Sequence, residues 1–147
     1  MSQHRYKIDS HLDRFLSAQE NVFDNAFREL KDGVKRSHWM WFIFPQIIGL
    51  GKSTTAQFYA LSGVDEAKEY LQHPILGERL IKCTQVVLEH NGLTILDIFG
   101  SPDDVKFKSS MTLFEVVAPA GSVFSLALDK YYSGKRDKLT LQIIKKQ

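Results

Sequence analysis

The stretch that decides the fold reads Lys35-Arg36-Ser37-His38-Trp39-Met40-Trp41-Phe42-Ile43-Phe44-Pro45-Gln46 and continues Ile47-Ile48-Gly49-Leu50-Gly51-Lys52-Ser53. Both tryptophans stand in it, two positions apart. It is too apolar for a surface loop and too short to span a bilayer, which takes roughly 20 apolar residues. It belongs inside a folded core, and its polar residues are expected to be drawn toward the same interior. Its apolar positions are continuous, so periodicity does not separate strand from helix. No hairpin turn flanks it, and Pro45 disfavours helix at the residue before it. The stretch therefore reads as a short, buried helix ending before Pro45.

Outward from there, every element reads as helix. On the N-terminal side, Asp9 or Ser10 caps a first helix carrying Leu12, Phe15 and Leu16. A second begins near Asn21, with Val22, Phe23, Ala26, Phe27 and Leu30 on one face, and closes at Gly33. On the C-terminal side, Gly49-Leu50-Gly51 turns the chain, and Ser53 or Thr54 caps a short helix through Phe58, Tyr59 and Leu61. Ser62 is expected to cap the next, with Asp65 at its third position. His73-Pro74 opens a helix carrying Leu76, Leu80, Cys83 and Val87 that stops at Asn91-Gly92. Thr94 caps a short turn ending at Gly100. Ser101-Pro102-Asp103-Asp104 is a start signal: a cap, a proline at the first helical position and acids at the positive pole. That helix breaks at Pro119, and Ser122 and Asp137 cap two more. The β-branched pairs Val86-Val87 and Val116-Val117 do not alternate with polar residues. The expectation is an all-α, compact single-domain bundle of about seven to nine short helices over residues 9–147, after a polar, flexible N-terminus at 1–8.

The chain has 147 residues, 44% of them hydrophobic and 24% charged, which fits one soluble domain with a core of its own. A net charge of +2 gives no general argument for nucleic acid. The single cysteine, Cys83, excludes an internal disulfide, fits a reducing compartment and reads as a buried structural thiol. The first residues lack the apolar run of a signal peptide, so a cytoplasmic protein without a membrane partner is expected.

The most chemistry-laden motif is Gly49-Leu50-Gly51-Lys52-Ser53-Thr54. It ends like a phosphate-binding loop, but Gln46 stands where the full pattern needs glycine, and Pro45 disfavours the strand that should precede it. What remains is an anion-binding corner made by backbone N–H groups and Lys52, set against glycines that only turn the chain. His38 reads either as a hydrogen-bonding or acid–base group beside aromatic walls or as a buried histidine bonded to a carbonyl. Trp39 and Trp41 point apart on a helix, so at most one lines a given pocket. In Asp103–Thr112, Asp103, Lys106 and Ser110 share a face, as do Ser109 and Thr112. These hydroxyls beside Met111 and Phe107 imply tight packing, a polar pocket wall or plain exposure. Arg79 reads as a solvated or salt-bridged arginine. His73 and His90 lie far apart, so no metal site is expected.

These stretches together resemble the DUF1810 family of bacterial proteins. The resemblance runs through Asp13-Arg14-Phe15, Ala18-Gln19, Glu29-Leu30, Lys35 to Gln46, Gly49-Leu50-Gly51 with Ser53, and Tyr59. It continues through Glu66-Ala67, Tyr70-Leu71, His73-Pro74, Leu76-Gly77, Arg79-Leu80, Ile98-Phe99-Gly100, Asp103, Lys106, Ser109 to Phe114, Gly134, Asp137 and Thr140. It implies a compact, mainly helical single domain and no established activity, so no catalytic residue is carried over. Some members bear a calpastatin label. An inhibitor of that kind would be disordered, whereas this chain is built to fold. A fainter likeness, resting on Lys106-Phe107, is to proteins that process NAD or ADP-ribose derivatives.

Three functions compete. The first is a site for a small anionic or nucleotide-like ligand, related to NAD or ADP-ribose, walled by His38, Trp41, Gln46, Lys52, Ser53, Lys106, Ser109 and Thr112. It assigns no cofactor and leaves open whether chemistry follows binding. The second is a non-enzymatic adaptor for a protein partner, which requires a contiguous exposed apolar patch. The third, nucleic-acid binding through Lys35, Arg36, Lys52, Lys106, Lys108, Lys135, Arg136, Lys145 and Lys146, ranks last.

Overall fold

The tryptophan stretch forms a four-residue helix, Met40–Ile43, which stops at Phe44 before Pro45. The structure, a computed structural model, describes residues 10–147. The expected cap at Asp9 and the expected flexible segment 1–8 lie outside the described residues. After a 3-10 turn at Ser10–Leu12, the helices are Asp13–Gln19 (α1), Phe23–Asp32 (α2), Met40–Ile43 (α3), Thr54–Tyr59 (α4), Val64–Gln72 (α5), Leu76–Leu88 (α6), Ile95–Phe99 (α7), Asp103–Val117 (α8), Val123–Tyr132 (α9) and Lys138–Lys145 (α10). Seven have seven residues or more, and three are shorter. Among the described residues the only β pairing is one parallel bridge, Ile47 with Leu61. The molecule is an all-α single domain.

Helix α8 is the axis of the packing. It lies against α5, α7, α9 and α10. Six consecutive residues, Ser109 to Phe114, are buried, so neighbours surround this part of the helix on every face. Phe107 and Phe114, two turns apart on one face, each anchor an aromatic cluster. Phe107 meets Phe44 edge-on at 4.9 Å and stacks on Phe99 at 4.7 Å. Phe114 meets Tyr70 at 5.5 Å and Phe124 at 5.7 Å. Exposure of the Ser109–Thr112 hydroxyls is thus ruled out. Thr112 donates to the Lys108 carbonyl at 2.8 Å, while Ser110 packs with its hydroxyl unpaired. Burial of Cys83 pushes its thiol up to about 12.

Local signals set most boundaries. Ser53, Thr94, Ser122 and Asp137 each accept a backbone N–H three residues on. His73 does similar work through Nδ1, which accepts from Ile75 N at 3.1 Å and Leu76 N at 3.3 Å. Two expected caps are corrected. Gly63, not Ser62, takes the cap of α5, because Ser62 turns its N–H to the Glu66 carboxylate at 2.7 Å. Pro102, not Ser101, occupies the cap of α8.

The expectation that the tryptophan stretch draws all its polar residues inward is also corrected: His38 is exposed. What holds the stretch is Glu29 on α2. Its Oε1 accepts from Arg36 N at 2.8 Å, Ser37 N at 3.1 Å and the Trp39 indole at 2.9 Å. Its Oε2 accepts from Ser37 Oγ at 2.6 Å and Asn25 at 2.9 Å. Burial pushes this carboxyl up, but the hydrogen bonds from Ser37, Arg36 and Trp39 outweigh it and hold it at about 2.

Candidate functional site

The glycine turn and the first two turns of α8 face each other across a cleft of about 450 Å³. Three things place them so. The Ile47–Leu61 bridge, with Leu61 N donating to Gln46 O at 2.9 Å, fixes the chain on both sides of the turn. Ser53 caps α4, and Gln57 ties back to the Lys52 carbonyl at 2.9 Å. A Cβ on Gly51 would stand 2.5 Å from Ala56 Cβ, so this glycine is required by the close approach of turn and helix.

Five of the eight expected residues line this cleft: Gln46, Lys52, Ser53, Lys106 and Ser109. Leu50, Val105 and Leu139 give it apolar walls. Trp41 lies under it, with the Lys106 ammonium 5.4 Å from its ring centre. Thr112 sits behind the wall, fully buried, and accepts the Asp137 N–H at 2.9 Å. His38 does not line the cleft. Asp137, which sequence reasoning saw only as a cap, is a lining residue. Its Oδ2 accepts from Ser109 Oγ at 3.1 Å, from Thr140 N at 3.1 Å and from Thr140 Oγ1. Ser109 and Thr112 are therefore satisfied by the protein itself. Among the described residues Lys52 enters no ion pair. Because α4 has only six residues and Ser53 already caps it, the expected anion corner reduces largely to the Lys52 ammonium.

Lys106 is set by a charged cluster. Asp103 lies 2.9 Å from Lys35 Nζ and 3.8 Å from Lys106 Nζ, with the Lys35 side chain almost wholly buried. Lys35 also donates to the Ser37 carbonyl at 2.6 Å. This cluster joins the tryptophan stretch to α8.

A second cleft, about 510 Å³, lies between the start of α1 and α5 and is lined by His11, Arg14, Phe58, Glu66 and Glu69. Most of its charged groups bond to one another or to backbone carbonyls. Arg14 bonds to the Phe58 and Ala60 carbonyls at 2.8 and 3.0 Å and to Glu66, and His11 meets Glu69 at 2.9 Å. Elsewhere, Arg79 bonds to the buried Gln19 at 3.2 Å and lies over the Phe23 ring, so it supports the core. Several basic residues considered for nucleic acid are neutralised: Arg36 by Asp32, and Arg136 by Glu115 and Asp129. Among the described residues no group of three or more His, Cys, Asp or Glu is placed to hold a metal ion, and no helix is long and apolar enough to cross a membrane.

Residues 9–144 match the family model described as a protein of unknown function, DUF1810. The chain belongs to the DUF1810 family. A solved structure, that of the conserved hypothetical protein Rv1873 from Mycobacterium tuberculosis, is 47% identical, with a TM-score of 0.89 over 91% of this chain and 96% of that one. No curated protein matches. The comparisons thus fix family and fold, and the reading of the cleft rests on its own geometry.

Proposed function

We propose that this DUF1810 protein binds a small anionic ligand in the cleft between the glycine turn and α8. One observation carries the reading. Two segments far apart in sequence bring Lys52 and Lys106 to a single concave site with apolar walls and the Gln46 carboxamide. Such a site has the volume and mixed lining of small-molecule pockets. Lysines offer charge, Gln46 and Ser53 offer directional contacts, and Leu50, Val105 and Leu139 cover an apolar body.

A thermal-shift screen against carboxylates, nucleoside monophosphates, NAD and ADP-ribose tests this. At saturating ligand the melting temperature is expected to rise by several degrees, and Lys52→Gln with Lys106→Gln is expected to abolish the rise. An unchanged rise in the double variant would place the ligand elsewhere.

A further inference from the structure

Charge arithmetic within the cleft narrows the class of ligand. Lys52 and Lys106 line it, and Lys106 shares Asp103 with Lys35. Asp137, bonded to Ser109 of α8, adds a negative charge to the lining. Three lysines against two aspartates leave one positive formal charge. The Asp137 carboxylate is fixed in place by Ser109 and Thr140, so it cannot swing away from an incoming anion. Around the charged floor stand Leu50, Val105 and Leu139, and the latter two are each more than half exposed. Exposed apolar side chains at the mouth of a site gain free energy when a ligand covers them.

Resting on the proposed anion-binding role, we infer that the cleft selects a singly charged organic anion with an apolar body, a monocarboxylate, over phosphates carrying two or more charges. A single surplus charge balances one carboxylate. Each further ligand charge faces Asp137 without a new cation, and like charges brought together in a partly buried site repel.

Saturation-transfer NMR titrations with benzoate, octanoate, AMP and ATP at physiological ionic strength test the selection. Octanoate or benzoate is expected to bind about tenfold tighter than AMP or ATP. Lys106→Gln is expected to weaken carboxylate binding about tenfold, and Leu139→Ser to weaken octanoate most. Asp103→Asn is expected to narrow the gap in favour of ATP. Because that change also leaves Lys35 buried without its partner, Lys106→Gln carries the test if the Asp103 variant does not fold. AMP or ATP matching or outranking both carboxylates would overturn the selection and leave the anion site standing. Failure of all four probes to bind would overturn both.

Discussion

Glu29 carries the sharpest consequence of a single side chain. Its carboxyl is held at about 2 in the fold against an ordinary 4.5. A carboxyl lowered by folding stabilises the native state above its unfolded value, and that stability is lost as pH falls through the folded value. The window runs from about pH 4.5 to about pH 2. Glu29→Gln is expected to cost about 3 kcal/mol at pH 7 and about half as much at pH 3, read from urea unfolding midpoints. A pH-independent cost would mean that packing, not the carboxylate, holds the 36–39 loop. Sequence reading passed over this residue for a physical reason. A glutamate on an amphipathic helix looks like any solvated one, and the N–H groups that claim it come from a loop seven to ten residues on. Lys35 is similar: its partner, Asp103, is distant in sequence and visible only after folding.

At the scale of elements, caps and breakers were legible because each acts within a few residues. Ser53, Thr94, Ser122 and Asp137 needed no tertiary knowledge. Ser62 and Ser101 were misjudged: at the first the Glu66 carboxylate takes the Ser62 N–H, and at the second the helix starts one residue later, with Pro102 at the cap. The joint between α5 and α6 shows the same limit. Gly77 lies inside α6 and looks like a dispensable flaw, yet a Cβ there would stand 1.9 Å from the Leu71 carbonyl oxygen. Only glycine lets the two helices meet so closely. Gly77→Ala is expected to destabilise the fold by about 3 kcal/mol or more, measured by chemical denaturation. A neutral outcome would show that the joint opens without strain.

For the molecule as a whole, the arrangement follows from one helix being wrapped. Once α8 is central, the tryptophan stretch closes over its first half through Phe44 and Phe107, and α5 with α9 closes over its second half through Tyr70 and Phe124. The cleft is what remains where the glycine turn and the start of α10 reach the first turns of α8 without filling the space between. Sequence alone named five of the twelve lining residues because lysines and hydroxyls recur inside apolar runs, but it could not separate Lys106 and Ser109, which face the cleft, from Thr112, one turn on and fully buried. The most direct test is a 1H–15N chemical-shift map of the full chain titrated with octanoate. Perturbations are predicted to concentrate on Gln46–Ser53, Lys106–Ser109 and Asp137–Leu139. Perturbations confined to the cleft around His11, Arg14 and Glu69, or none at millimolar octanoate and AMP alike, would contradict the account.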